Sequence, residues 1–103
     1  MVARVTTSQR SQADEAKLFI EEYAIPSLRE IAGFRGAFFL ADREKGTGIS
    51  ITLWEDAAAA EASDHASTAR RGMAARMTGA IFESVDTYEV IAQAEPAAVA
   101  TPA

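Results

Sequence analysis

The chain has 103 residues and a formal net charge of −5, which makes it a single acidic domain. It contains no Cys, one His and no Asn, so disulfide frameworks, thiolate metal sites and Cys nucleophiles are excluded, and a multi-His metal site could form only across a dimer. Of its 50 apolar residues 23 are Ala, and only 27 larger ones are left to build a core. A chain of this length buries about 65% of its unfolded surface, so a second copy is expected to help cover the rest. The acidic balance argues against a nucleic-acid partner and against an anionic membrane surface. No apolar run reaches the roughly 18 residues that span a bilayer. The first residues, Met1-Val2-Ala3-Arg4-Val5, lack the basic-then-apolar pattern of a signal peptide, and a cytoplasmic protein is expected.

β-Branched residues over 2–7 predict a short strand, followed by a polar loop over 8–12. Ser11 is the expected N-cap of a first helix, with Asp14 and Glu15 in its first turn. Ala16, Ile20, Tyr23, Ser27 and Ile31 recur at helical spacing and predict the buried stripe, flanked by Phe19 and Ala24. Leu18 and Ile25 fall outside it, facing a partner subunit. Pro26 interrupts the pattern and predicts a kink or a short break. Gly33 is the expected left-handed stop.

Residues 35–42 predict a well-buried strand and 49–54 a second one, joined by the turn Glu44-Lys45-Gly46-Thr47-Gly48 as a hairpin. On the second strand Ile49, Ile51 and Leu53 share one face, and Ser50, Thr52 and Trp54 share the other. Asp56 is the expected N-cap of a long Ala-rich helix over 57–77, with an inner stripe of Ala59, Ala62, Ala66, Ala69, Met73 and Met77. Gly79 marks its end, and 81–92 predict a last strand. The order strand, helix, strand, strand, helix, strand is the split βαβ plan of a ferredoxin-like α+β fold with an antiparallel sheet. One sheet face would be bare in a monomer. The domain is expected to span 1–92, and the Ala- and Pro-rich 93–103 form either a flexible tail or a segment that docks on a partner.

The segment Gly33-Phe34-Arg35-Gly36, the run Ala37-Phe38-Phe39-Leu40 and the strand Gly48-Ile49-Ser50-Ile51-Thr52-Leu53-Trp54-Glu55 resemble the antibiotic biosynthesis monooxygenase-like family. The stretch from Tyr23 to Glu30, with Pro and Leu-Arg-Glu before the Gly-Phe turn, extends the resemblance. These motifs mark a fold more than a reaction. The resemblance implies a dimeric α/β barrel, with the sheets of a homodimer packed face to face and a cavity in each subunit. It also implies oxygen chemistry without flavin or metal on a small aromatic or polyketide-like substrate. The haem-degrading branch uses an Asn on the first strand, and a Trp and a later His on the second helix. Here that strand offers Thr6 and Thr7, the helix has no Trp, and His65 lies too early, so haem degradation is disfavoured. The polyketide branch uses an Asn, a Trp and an Arg, of which Trp54 and an unassigned Arg could carry over.

Among individual residues, His65 is the expected general base, since only its side chain has an ordinary pKa near neutrality. The alternative is a solvated boundary His beside Asp64. Trp54 is expected to stack on a flat ligand or to fill an interface. Phe38, Ser50, Thr52 and Met73 complete the expected pocket, with Tyr23 as a hydrogen-bond donor and Arg4 as an anchor for an oxyanion, unless Arg4 pairs with Glu83 or Glu89 on the last strand. Arg70, Arg71 and Arg76 read as a solvated basic patch. The leading expectation is a cofactor-independent monooxygenase. The competing ones are a non-catalytic dimeric ligand-binding or stress-related module, and an isomerase or dehydratase using His65 as a proton shuttle.

Overall fold

The computed structural model describes residues 1–9 and 12–96. The expected cap at Ser11 and most of the expected tail therefore lie outside the described residues. The elements are β1 (Val2–Gln9), α1 (Ala13–Phe19), a π-helical turn (Ile20–Ala24), α2 (Ile25–Arg29), β2 (Phe34–Asp42), β3 (Thr47–Trp54), α3 (Ala57–Ala62), α4 (Asp64–Thr78) and β4 (Ile81–Glu89). The sheet has the order β2-β3-β1-β4, every pair antiparallel. This is the βαββαβ, ferredoxin-like arrangement expected from the sequence. Among the described residues no helix is long and apolar enough to cross a membrane.

The first strand is two residues longer than expected, because Ser8 and Gln9 continue the pairing with β3 and β4. Pro26 interrupts the regular α-helix, as expected. It has no N–H for the carbonyl of Glu22, and its ring crowds that carbonyl. The interruption takes the form of a widened turn between α1 and α2, in which the Ile25 amide donates to the carbonyl of Ile20, five residues back. The widened turn rotates everything before it relative to α2. The buried positions are Phe19, Ala24 and Leu28, with Ile31 partly buried, whereas Tyr23 and Ser27 are exposed. The expected stripe fails there because its 3.6-residue period does not hold through a π turn.

Gly33 has a φ of +84°, and a Cβ added to it would lie 2.5 Å from the Ala59 side chain. Only Gly permits both the left-handed turn and that approach. The Gly33 carbonyl accepts from the Glu55 amide, which ties the turn to the end of β3. Asp56 caps α3 as expected, its carboxylate accepting from the Ala59 amide at 2.8 Å. The expected single helix is broken at Ser63, and Gly79 closes α4 in the left-handed conformation.

The inner stripe of this helix pair is also displaced. Ala60, Ser63, Ser67 and Thr78 are buried, while Ala62, Ala66, Ala69, Met73 and Met77 are exposed. Ala on every side gives the helix no apolar contrast to orient it. The phase is set by polar contacts to the sheet, described below. The compact core lies at one end of the layer interface, where Trp54, Leu28 and Ala60 pack with Val2, Ile31, Phe34 and Phe39. Trp54 is fully buried, with the Phe34 ring edge-on at 5.6 Å between centroids.

Candidate functional site: a cavity between helices and sheet

Three bands lie between the helices and the covered sheet face. Along β1 they are Val2, then Arg4, then Thr6 and Ser8. Along β3 they are Trp54, then Thr52, then Ser50 and Gly48. The first band is the core. The second is a buried polar layer. The third opens into a cavity of about 450 Å³.

The polar layer is built around Arg4, which is only 5% exposed. Its Nη1 donates to Ser67 Oγ at 2.8 Å and Ser63 Oγ at 3.0 Å, and its Nη2 donates to the Ala60 carbonyl at 2.6 Å. Asp64 stands 3.7 Å away, and the Trp54 ring lies 5.8 Å beneath the guanidinium carbon. Burial lowers the Arg4 pKa, against the opposing pull of Asp64. The Trp54 indole donates to Thr52 Oγ1 at 2.9 Å. No buried side-chain nitrogen or oxygen among the described residues lacks a partner. These bonds fix the helix at Ser63 and Ser67, which is why the Ala-rich segment turns Ser inward and Met outward.

In the cavity, Thr6, Ser8 and Ser50 contribute hydroxyls from the sheet. Phe19, Phe39 and Phe82 supply aromatic wall. Ala16, Ile20, Ala24 and Ala74 line the helix side. These small residues leave the volume that larger side chains would fill. The π-helical turn contributes Ile20, Glu21 and Ala24, so the Pro26-driven distortion shapes one wall. Four cations also line the cavity: Lys17, Arg43, Arg70 and Arg71. Arg43 is engaged with Asp14 at 3.0 Å across the gap between the hairpin and α1. Arg70 is half-buried, and its guanidinium donates to Ser67 Oγ at 3.1 Å and Ser27 Oγ at 3.4 Å. Burial lowers the Arg70 pKa, and the nearby Arg71 and Arg4 lower it further.

The residues expected at the site are distributed over all three bands and beyond. Ser50 lines the cavity. Arg4 and Thr52 lie one band inward with their polar groups already engaged, and Arg4 pairs with Asp64 rather than with Glu83 or Glu89. Trp54 belongs to the core. Tyr23 is 48% exposed and stacks on Phe19 from outside, because the π turn rotates it off the inner stripe. Phe38 is 59% exposed on the opposite sheet face, since it pairs with Ile51. Met73 and His65 are exposed on α4 and line no part of the cavity. Conversely, Arg70 and Arg71 are half-buried in the cavity wall, and only Arg76 of the three is solvated. The signal for this was present in the spacing. Ser63, Ser67, Arg70 and Ala74 recur at helical intervals, and the polar members of that series are the inner face. No three His, Asp or Glu side chains among the described residues come together as a metal site.

No family model matches the sequence, and no curated protein matches it either. Several solved structures match in shape. SnoaB, a cofactor-independent oxygenase from Streptomyces nogalater, superposes with a TM-score of 0.70 at 17% identity, over 93% of this chain and 97% of its own. The ActVA-Orf6 monooxygenase of Streptomyces coelicolor, solved with nanaomycin D, gives 0.66 at 19% identity, over 93% and 91%. NE2512 of Nitrosomonas europaea, a protein of unknown function, gives 0.65 at 17% identity, over 93% and 95%. Identities this low establish fold and not reaction. The chain has the fold of the antibiotic biosynthesis monooxygenase-like proteins.

Proposed function

We propose that the chain is a cofactor-independent monooxygenase that oxidises a hydroxylated, polyketide-like aromatic in the cavity, as a homodimer packed sheet to sheet. The observation that carries this reading is the cavity itself: aromatic and Ala-lined walls with hydroxyls at one side and guanidinium groups at another. Aromatic walls hold a flat ring system, and Ser50 and Thr6 orient its oxygens by hydrogen bonding. Nearby positive charge favours the ionised form of a phenol or enol. Such an anion is electron-rich enough to pass one electron to O₂, and the resulting radical and superoxide combine at carbon. Loss of water from the hydroperoxide turns a ring CH₂ into C=O. One oxygen atom stays in the product, the other leaves as water, and the substrate supplies every electron. SnoaB, named as a cofactor-independent oxygenase, and ActVA-Orf6, named as a monooxygenase, support the reading.

The test uses a hydroxylated anthrone, with oxygen uptake and quinone absorbance followed together. Uptake and quinone are expected in a 1:1 ratio, and both fall when Ala74→Phe fills the cavity. Uptake that is indifferent to Ala74→Phe would place the chemistry elsewhere. A His65→Ala variant decides the proton's route. Retained turnover leaves ionisation to the cationic wall, and lost turnover returns His65 to the role of base. The position of this one imidazole outside the cavity favours a second reading, a ligand-binding module without turnover. Tight anthrone binding with no oxygen uptake would establish that alternative.

A further inference from the structure

The charges around the cavity are unevenly matched. All fifteen acidic side chains of the sequence belong to the described residues. Among those residues the ion pairs are Arg4 with Asp64, Arg35 with Glu55 and Arg43 with Asp14. None goes to Arg70 or Arg71. Arg70 bonds only to the hydroxyls of Ser67 and Ser27, and Arg71 only to Thr68 Oγ1 at 3.2 Å. Both residues are half-buried, adjacent in sequence, and line the same cavity. Two partly desolvated cations without a carboxylate repel one another and forgo their strongest hydrogen bonds. In a chain of net charge −5, acids are plentiful, and none is spent here.

We propose that Arg70 and Arg71 form an anionic subsite, and that the cavity selects aromatic ligands bearing a carboxylate over neutral ones. This rests on reading the cavity as the ligand site and deepens it by naming the ligand's class. A neutral ring would fill the apolar walls and leave both guanidinium groups unanswered. A phenol ionised in the cavity answers one. A carboxylate, charged at neutral pH in water as well, answers the other and brings two oxygens for bidentate bonding. Lys17 and Glu21, one helical turn apart on the opposite wall, offset each other in charge and leave the α4 side as the cationic pole.

The test compares 1-hydroxy-2-naphthoate with 1-hydroxy-2-naphthamide, which share size and hydroxyl, by titration calorimetry on the full chain. The acid is expected to bind about tenfold more tightly or better. Added salt should weaken the acid and spare the amide. Arg71→Gln should erase the acid's advantage and leave the amide's affinity in place, and Arg71→Glu should reverse the preference. Arg76→Gln, on the exposed side of the same helix, should change nothing. Equal binding of acid and amide overturns the proposal while leaving the cavity as a ligand site, and so does a preference that survives Arg71→Glu in a variant with unchanged melting. Binding of neither probe overturns both readings. Preferential binding of the acid without oxygen uptake on the anthrone upholds the subsite and removes the oxygenase.

Discussion

The two faces of the sheet are reversed relative to a simple hydrophobic-in pattern. The two central strands of the face covered by the chain's own helices carry Arg4, Thr6, Ser8, Ser50 and Thr52, with Val2 and Trp54 at one end and Phe39 and Phe82 only on the flanking strands. The face left open carries Val5, Phe38, Leu40, Ile49, Ile51, Leu53 and Tyr88. Phe38, Leu40, Ile49 and Tyr88 are exposed there. Apolar alternation in β3 therefore marks where the largest burial is sought, and the helices of the same chain do not supply it. The helices present Ser63, Ser67 and Ala74 to the sheet, too small to fill the layer. One face thus keeps a cavity, and the other leaves large apolar side chains in solvent, the face on which the proposed dimer would pack.

The largest expected effect breaks this contrast from the open side. Ile51→Glu puts a carboxylate at the middle of that face. Burying it against a second sheet costs several kcal/mol, so under the proposed sheet-to-sheet packing sedimentation should show a dimer for the unaltered chain and a monomer for the variant. A dimer that persists in the variant removes the sheet-to-sheet arrangement. On the covered face, Trp54→Ala should lower unfolding stability by about 3–5 kcal/mol in urea followed by circular dichroism. Trp54→Phe should leave naphthoate affinity unchanged, because the ring lies in the core band. A loss of affinity would move Trp54 into the site. Arg4→Met is the intermediate case. It strips a donor from Ser63, Ser67 and the Ala60 carbonyl, a cost of about 1–3 kcal/mol, moderated because Asp64 is largely exposed and regains water. Arg4 shares the Ser67 hydroxyl with Arg70, so the same variant should weaken the acid probe more than the amide. Equal weakening of both would assign Arg4 to stability alone.

Much of the fold is legible in the sequence because punctuation there is local. Asp56 acts through a carboxylate that reaches an amide three residues on, Gly33 and Gly79 act through their own backbone, and β3 alternates over a full strand. The two helices are harder, for opposite reasons. The first loses its period at the π turn before Pro26, which carries Tyr23 outward and Ala24 inward. The second has so much Ala that composition sets no phase, and Arg4, some 60 residues away in sequence, sets it through Ser63 and Ser67. The site inherits both errors. His65 and Met73 take the outside of a helix whose inside belongs to Ser67, Arg70 and Ala74. A pairing of Arg4 with hydroxyls on a helix is a long-range fact that no local period contains.

The smallest expected effect lies where Arg43, which lines the cavity from the hairpin, meets Asp14 on α1. Hydrogen bonding and then charge attraction from Arg43 hold the Asp14 carboxyl below its ordinary value. A depressed folded-state pKa gives a contribution that is present above the unfolded value of about 3.9 and is lost as pH falls through the lower folded value. Both groups are largely solvated, so salt screens the pair and little stability depends on it. Carboxyl titration by NMR should place Asp14 below the ordinary aspartate value at low salt, with the shift closing in Arg43→Gln. Asp14→Asn removes a negative charge and frees the Arg43 guanidinium beside the cavity, so it should speed entry of the anionic naphthoate and leave its equilibrium affinity nearly unchanged. A change in affinity instead would make Arg43 a third cation of the anionic subsite, and the contrast between faces would then include the hairpin.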